Sequence, residues 1–332
     1  MEKSNGSKKL ALIRILQILQ KYSDSDHALT QAEIAGYLEK DYGIVIERKA
    51  VSRNIALLKE AGFGISSGRD GTALIERDFT DAELRMLIDS VLCSSHITKK
   101  QSENLIRRLS GLSSRYFYSN IEHIYPENKL EEWNKTDNQS TFYNIEMISE
   151  AVDRKLQIHY NYNKYGTDRK LHRSSEQYVS PYQLILHNQR YYLMAYSEYW
   201  GNMVYHRLDR ITNMQITDQP AWPLNKVPGF ETGIDFREIS SRRPYMYSDK
   251  PQAVEFLADS GIVDQIIDWF GRDIQIEELP DNPEKVRVTL LVSTIAMEHW
   301  AVQYLDHVEV TKPAALRDRI RESLKAGLEK YN

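Results

Sequence analysis

The chain has 332 residues, of which 41% are hydrophobic and 27% are charged, and its formal net charge is −4. This length is sufficient for two or three domains with their own cores, and the weak negative charge excludes a protein coated uniformly in basic residues. Any contact with nucleic acid must therefore come from local basic patches. The single cysteine, Cys93, excludes an intramolecular disulfide and is typical of proteins of the reducing cytoplasm.

The N-terminal residues predict a short helix and no export signal. Apolar side chains recur at helical spacing from Leu10 to Tyr22, which indicates one buried helical face. Arg14 and Gln17 interrupt this run, and it is too short for a signal peptide or a membrane span. We expect a cytoplasmic protein that does not associate with a membrane.

Two more helices and a hairpin are predicted before residue 76. Thr30 and Glu33 have the spacing of a capping box at the start of a second helix, which Gly43 ends. A third helix follows over residues 47–61, and residues 65–75 have the pattern of a two-stranded hairpin around a Gly-Arg-Asp-Gly turn.

The polar face of the third helix and the tip of the hairpin carry the residues that could contact duplex DNA. Arginine and lysine can bind guanine edges or phosphates, and asparagine can read adenine. A single charged helix face is more often simply solvated, but three helices followed by a hairpin favour DNA binding. The predicted DNA contacts are Arg48, Lys49, Ser52, Arg53, Asn54 and Arg69.

Helices are predicted between this segment and the next strands. Thr80 begins a capping signature, and residues 79–124 contain two amphipathic helical patterns that we interpret as a connector. Residues 125–140 include Pro126 and are mostly polar, which indicates a linker. Helical spacing resumes over residues 141–154.

Tyrosine-rich strands follow from residue 157 to residue 211. Residues 151–211 hold nine lysines and arginines against five acids, so this segment, like the N-terminal one, is positive. Short strands separated by turns at His187-Asn188 and near Gly201 are typical of a small barrel. Side-chain alternation places Tyr205 and Arg207 on one face and His206 on the other.

Three runs in this segment resemble the WYL domain of bacterial transcriptional regulators. They are Ser180-Pro181-Tyr182-Gln183-Leu184, Tyr191-Tyr192-Leu193 and His206-Arg207-Leu208-Asp209-Arg210-Ile211. The chain has Tyr191 where the family has Trp, His206 where it has Phe, and Val204 where many members have Arg. The resemblance implies an Sm-like β-barrel that binds a nucleic acid or another charged ligand.

Aromatic rings and guanidinium groups in these strands could together hold a base and phosphates, if Tyr160 and Tyr162 face the same side as the later residues. The alternative is that the tyrosines only pack within strands and that Asp209 and Arg210 form a simple ion pair. The predicted ligand contacts are Tyr160, Ser180, Tyr182, Tyr192, His206, Arg207 and Arg210.

The two ends of the chain extend the resemblance. Residues 47–58 resemble the recognition helix of the winged helix-turn-helix found in WYL regulators. Trp300 and the run from Val308 to Arg317 resemble the C-terminal extension of the same proteins, which implies a role in dimerisation or ligand contact. A linker rich in proline and polar residues is predicted at 221–248.

We therefore predict a multidomain α+β protein that acts as a DNA-binding transcriptional regulator of the bacterial cytoplasm and nucleoid. Its expected partners are double-stranded DNA, a nucleic-acid or other anionic effector, and a second copy in a homodimer. The alternative is an accessory protein that binds RNA or single strands through the barrel. The predicted domains are a winged helix-turn-helix at 1–78, the helical connector at 79–124, a linker at 125–140, the WYL barrel at 141–220, a linker at 221–248 and the C-terminal α+β extension at 249–332.

Enzymatic activity, a cofactor and a metal are not expected. The histidines lack the short spacing of metal ligands, and no Gly-x-Ser-x-Gly motif indicates a nucleophile. Ser66-Ser67-Gly68 is not followed by the Gly-Lys-Ser/Thr of a phosphate loop, which excludes nucleotide hydrolysis there.

Overall fold

The computed structural model describes residues 10–122, 135–235, 239 and 241–332. The chain forms two compact units, residues 1–139 and 140–332. Parts of four predicted segments lie outside the described residues: 1–9 of the first domain, 123–124 of the connector, 125–134 of the first linker, and 236–238 and 240 of the second.

The first unit is helical except for one hairpin. Its described elements are α1 (Ala11–Tyr22), α2 (Gln31–Tyr42), α3 (Arg48–Glu60), β1 (Ile65–Gly68), β2 (Gly71–Leu74), α4 (Asp81–Cys93), α5 (Lys99–Ser110) and α6 (Arg115–Glu122). Helices α1 to α3 and the hairpin enclose a core that includes Ile15, Ile34, Val51 and Leu74. The three helices and the hairpin therefore follow one another in the predicted order.

Local chemistry sets the ends of α2. The Thr30 hydroxyl accepts a hydrogen bond from the Glu33 backbone N–H (3.2 Å), and the Glu33 carboxylate accepts one from the Thr30 N–H (2.8 Å). This reciprocal pair satisfies two of the N–H groups that a helix start leaves open. Gly43 ends the helix in the left-handed conformation, with φ 64°.

The hairpin is joined to the residues just before α2. β1 and β2 are antiparallel, and Leu29 exchanges two backbone hydrogen bonds with Thr72, of 2.9 and 2.8 Å. Gly71 has φ 136°, and a Cβ built on it would lie 2.6 Å from the Leu29 carbonyl oxygen. Glycine is therefore required where the hairpin meets the backbone of Leu29.

Gly71→Ala should destabilise the hairpin by about 2 kcal/mol, since it combines a disfavoured φ with a backbone clash. The expected result is faster amide hydrogen exchange at residues 65–75. Gly68→Ala is the matched control, because a Cβ at Gly68 meets nothing within 4 Å. Equal exchange rates in the two variants would contradict this account of the turn.

Helices α4 to α6 pack around Leu84, Ile88 and Phe117. The C-terminal end of α4 is covered by Lys135, whose Nζ donates to three backbone carbonyls at 2.7 to 2.9 Å, those of Val91, Leu92 and Ser94. Burial lowers the pKa of Lys135 to about 8. The ammonium nevertheless satisfies carbonyl groups that the helix end leaves open.

The second unit begins with a helix on a five-stranded antiparallel sheet. The described elements are α7 (Thr141–Arg154), β3 (Leu156–Tyr165), β4 (Leu171–His187), β5 (Arg190–Ser197), β6 (Asn202–Arg207) and β7 (Ile211–Pro220). The strand order is β6-β5-β4-β3-β7. The predicted Sm-like barrel is not confirmed, because the structure shows no ladder between the described strands β6 and β7, and the sheet is open.

Strand β4 links two halves of this sheet. Its first half pairs with β3 as far as Val179, and its second half pairs with β5 from Ser180 onward. The register shifts between Pro181 and Gln183, where proline removes a backbone donor. This irregularity changes which residues of β4 face each side.

The two faces of the sheet are both covered. Ile148 of α7 packs with Ile158, Leu193 and Ile211 on one face. On the other face, Met194, Met203 and Tyr205 pack with residues of the following segment, which include Val227 and Met246. Val227, Ile239 and Met246, which lie in the predicted linker at 221–248, thus contribute to the core of this unit.

The C-terminal part is an α+β layer. Its elements are β8 (Gln252–Asp259), α8 (Val263–Phe270), β9 (Gln275–Leu279), β10 (Asn282–Val292), α9 (Thr294–Gln303), β11 (Val308–Lys312) and α10 (Ala314–Glu329). Strands in the order β11-β8-β10-β9 form one sheet. Trp300 is fully buried against Phe256 and Phe270, with ring centroids 5.5 and 4.9 Å away. Across the described ranges of the chain, the structure has no helix that is both long and apolar enough to cross a membrane.

Candidate nucleic-acid interface and ligand site

A basic groove lies between α3, the start of α2 and the hairpin. Arg48, Ser52 and Lys59 line it from one face of α3, and Arg69 lines it from the hairpin. The groove has a volume of about 500 Å³. Its described lining residues include three cations and no aspartate or glutamate, so the surface favours an anionic partner.

The remaining predicted DNA contacts lie beside this groove. Lys49 and Arg53 are exposed on α3 but do not line it. The side-chain amide of Asn54 donates to the Ala50 carbonyl (2.7 Å), so one of its donors is used within the helix. Sequence reasoning missed Lys59, although it lies eleven residues after Arg48 and hence on the same helical face.

A second basic cluster lies at the end of β6, and we call Arg190, Tyr192, Arg207 and Asp209 the Arg207 cluster. Arg207 stands opposite Tyr192 in the ladder between β5 and β6. Its guanidinium donates to both Asp209 carboxylate oxygens, at 3.0 and 2.6 Å. Arg190 lies 3.7 Å from the same carboxylate, whose side chain is 2% exposed. One buried carboxylate thus balances two guanidinium groups.

The charges of the cluster influence one another. Burial lowers the pKa of Arg207, but the hydrogen bonds to Asp209, the charge of Asp209 and the nearby tyrosines together outweigh this and hold that pKa above its usual value. Burial raises the pKa of the Tyr192 hydroxyl, and the charges of Arg207 and Arg190 oppose this rise. The cluster therefore keeps a protonated phenol beside two permanent cations at neutral pH.

His206 lies on the opposite face of β6, against two tyrosines of β3. The Tyr160 hydroxyl lies 2.6 Å from its Nδ1, and the Tyr162 ring stacks on it with centroids 4.3 Å apart. Burial lowers the pKa of His206 to about 4 and raises that of Tyr160 well above its usual value. At neutral pH both side chains are uncharged and form one buried hydrogen bond.

His206 should make stability depend on pH. Its pKa of about 4 in the folded state lies below the 6.5 of an unperturbed histidine, so the unfolded chain binds the proton first as pH falls. The free energy of unfolding should therefore drop by about 2 to 3 kcal/mol between pH 6.5 and pH 4. Denaturant unfolding of the full chain at several pH values measures this drop.

The variant His206→Phe should flatten that part of the pH dependence, because phenylalanine has no proton to bind. His172→Gln is the control, since His172 is exposed and its replacement should preserve the drop. An undiminished drop in His206→Phe would contradict the assignment to His206.

Several predicted ligand contacts lie away from the Arg207 cluster. The Ser180 hydroxyl accepts a hydrogen bond from the Trp222 backbone N–H (2.8 Å), and the Tyr182 hydroxyl donates to the Trp222 carbonyl (2.7 Å). Both side chains therefore hold the segment after β7 in place. The Arg210 backbone carbonyl accepts from Asn163 (2.8 Å), whereas its buried Nε has no hydrogen-bond partner within the described residues.

The predicted single cradle of tyrosines and arginines does not form in full. Tyr160 is fully buried in the core beneath α7, whereas Tyr182 and Tyr192 pack on the opposite face of the sheet. Arg190 was missed, although it is two residues from Tyr192 and strand alternation predicts a shared face.

Comparison with known proteins identifies two domains in the second unit. The WYL domain family model matches residues 143–216, and the WCX domain family model matches residues 250–328. These matches confirm the resemblance for the tyrosine-rich strands and for the C-terminal extension. No curated protein matches the chain.

Two solved structures resemble the chain weakly. Proteasome accessory factor B/C (PafBC) of Arthrobacter aurescens is 16% identical with a TM-score of 0.30, and the match covers 99% of this chain and 50% of that chain. The present chain thus spans about half the length of the PafBC chain. A CRISPR Cas-related protein is 13% identical with a TM-score of 0.37, and the match covers 78% of this chain and 75% of that one. The assignment of domains therefore rests on the two family models. The chain contains a WYL domain at residues 143–216 and a WCX domain at residues 250–328.

Proposed function

We propose that the protein is a DNA-binding transcription regulator in which α1 to α3 and the β1–β2 hairpin act as a winged helix-turn-helix. The basic groove is the observation that carries this proposal. Its described walls present Arg48, Lys59 and Arg69 and no acid, in a chain whose net charge is −4. Local positive charge without acids favours the phosphate backbone of DNA.

The geometry of the groove suits a duplex. The start of α3 presents Arg48, Lys49 and Arg53 to solvent, as a recognition helix does in the major groove. Thr30 and Gln31 line the same groove at the N-terminus of α2, where backbone N–H groups and the helix dipole favour a phosphate. Arg69, on the hairpin turn, is positioned for a neighbouring phosphate.

The WYL domain supplies the response to a ligand in this proposal. An anionic group such as a nucleic-acid phosphate would compete with Asp209 for Arg207 and Arg190. Tyr192 stands beside Arg207 and offers a ring for stacking. Ligand binding there modulates operator affinity, and by reciprocity DNA binding alters ligand affinity.

Homodimer formation completes the proposal. The WCX domain has an apolar groove between α9, β11 and α10, where Leu305 and Leu328 are 46% and 65% exposed. Exposed apolar side chains of this kind support a contact with a second copy, which would double the DNA contacts. We place the dimer in the bacterial cytoplasm, as a protein without enzymatic activity or cofactor.

Binding of the full chain to labelled oligonucleotides tests the function. We expect duplex DNA from the region upstream of its own gene to bind more tightly than the corresponding single strands or RNA. Affinity should fall steeply with salt, because bound lysines and arginines release counterions. If the chain showed no salt-sensitive binding to duplex DNA, the proposed function would be wrong.

The alternative is an accessory protein that binds single strands through the WYL domain. The exposed pair Tyr199 and Trp200, with ring centroids 4.8 Å apart at the turn between β5 and β6, favours it, because unpaired bases stack on such rings. Tighter binding of single strands than of duplex, lost in Tyr199→Ala but retained in Arg48→Ala, would favour this alternative.

A further inference from the structure

A cavity of about 710 Å³ lies on the face of the WYL sheet opposite α7. Met203 and Tyr205 of β6 form one wall, and residues 227–235 form another. Arg242, Arg243, residues 248–251 and Leu291 of β10 close it, and residues 250, 251 and 291 of these belong to the WCX domain. Its volume lies within the range of small-molecule sites, which is roughly 300 to 1,000 Å³.

The side chain of Tyr205 lines this cavity beside that of Arg243. It is 5% exposed, and its oxygen is buried with no hydrogen bond within the part of the chain that the structure describes. Burial raises the pKa of this hydroxyl, and the charge and the N–H donors of the nearby Arg243 guanidinium oppose the rise. The group is therefore a protonated donor at neutral pH, and leaving it unpaired costs about 1 to 3 kcal/mol.

Arg243 places a buried positive charge on the same wall. It is 7% exposed, and its guanidinium lies 5.0 Å above the Tyr205 ring. One of its terminal nitrogens donates to the backbone carbonyls of Tyr247 (2.6 Å) and Asp249 (2.5 Å). Among the described residues, no carboxylate forms an ion pair with it.

The described lining has two acidic residues, Asp235 and Asp249, and the carboxylate of Asp249 is already engaged elsewhere. The Asp249 carboxylate accepts from the Ser293 hydroxyl (2.5 Å) and lies 3.5 Å from the Ile295 backbone N–H. Among the described residues, Arg243 is therefore paired only with backbone carbonyls, although buried charges in proteins are normally paired with an opposite charge. This imbalance favours an anion in the cavity.

Part of the remaining wall is apolar and suited to an apolar body, and the rest is polar. Met203, Val227, Phe230, Ile239 and Leu291 line the cavity around the polar pair. Apolar walls with a few convergent polar groups are the usual composition of small-molecule sites. A bare inorganic ion would leave most of this surface uncovered.

We infer that this cavity binds a small organic anion, whose carboxylate or phosphate meets Arg243 and the Tyr205 hydroxyl and whose apolar body fills the remaining space. The site is separate from the Arg207 cluster and does not depend on DNA binding. Because residues of both the WYL and the WCX domain line it, the bound anion contacts both domains of the second unit.

Isothermal titration of the full chain with paired probes tests this inference. Phenyl phosphate and phenylacetate carry the two candidate anionic groups, and benzyl alcohol and phenylacetamide are their uncharged counterparts. We expect at least one anion to bind about tenfold or more tightly than its counterpart, which corresponds to about 1.4 kcal/mol. The tighter of the two anions identifies the group that the site prefers.

Tyr205→Phe removes only the unpartnered hydroxyl. We expect it to weaken binding of the preferred anion about fivefold, as the loss of one hydrogen bond does, while the melting temperature without ligand stays equal or rises. Tyr199→Phe, at an exposed turn outside the cavity, is the control and should bind as the unaltered chain does. Arg243→Gln should abolish the preference for the anion over its uncharged counterpart.

Two results would overturn the inference. The first is that each anion binds no more tightly than its uncharged counterpart, or that neither anion binds at concentrations up to about 10 mM. A dissociation constant of about 10 mM corresponds to a binding free energy near −3 kcal/mol. The other is unchanged anion binding in Tyr205→Phe. Because these readouts do not involve DNA, they remain distinguishable from a failure of the proposed regulator.

Discussion

Replacing Arg48 and Arg69 together with alanine should weaken duplex binding about a hundredfold, if each contact contributes about 1.4 kcal/mol. The two side chains line the basic groove from opposite walls, one from α3 and one from the hairpin. The slope of log affinity against log salt should also become shallower by about two, because two fewer phosphates are neutralised. Fluorescence anisotropy with the upstream duplex at several salt concentrations measures both quantities.

A double variant of equal charge separates this effect from the loss of net charge. Lys40 and Arg108 are exposed in the same unit and do not line the groove. Replacing both with alanine should leave the affinity within about twofold, since long-range effects of exposed charges are screened. Equal losses in the two double variants would show that general charge attraction, and not the groove, binds the DNA.

Asp209→Asn should lower the free energy of unfolding by about 3 kcal/mol, because it leaves two half-buried guanidinium groups without their carboxylate. The Asp209 side chain is 2% exposed, and those of Arg207 and Arg190 are 19% and 29% exposed. The same variant should bind a single-stranded oligonucleotide or another anionic effector more tightly, because Arg207 no longer has to leave a carboxylate. Denaturant unfolding and anisotropy measure the two opposite effects.

Asp168→Asn is the matched control, as the contact of Asp168 with His172 is exposed. Exposed polar pairs contribute little to stability, so this variant should change stability little and anion binding not at all. If Asp209→Asn left both stability and anion affinity unchanged, the Arg207 cluster would have no role in holding or sensing an anion.

Local signals predicted most of the secondary structure. The Thr30 and Thr80 capping boxes both form, and each begins a helix at the expected residue. Apolar periodicity located α3, and a Gly-Arg-Asp-Gly run located the hairpin turn. These features depend on residues within about four positions of one another, which a sequence displays directly.

Long-range pairing was not predictable in the same way. The shift between Pro181 and Gln183 in β4 changes which side chains share a face, and a shift of one residue reverses every later position. For this reason Tyr160 and Tyr192 could not be assigned to opposite faces beforehand. The cavity at Tyr205 depends on residues 227–235 and 242–251 lying against the sheet, and the proline-rich sequence at 221–248 predicted only a linker.

The two backbone hydrogen bonds between Leu29 and Thr72 restrict how the β1–β2 hairpin can move. They join the hairpin to the residue that directly precedes the Thr30 cap, so the hairpin and the first turn of α2 are held together. If this segment binds DNA as proposed, the hairpin would not move independently of α2 to follow a curved double helix. A bent operator would then have to supply the bend itself, and easily bent base-pair steps would be favoured even where no side chain touches a base.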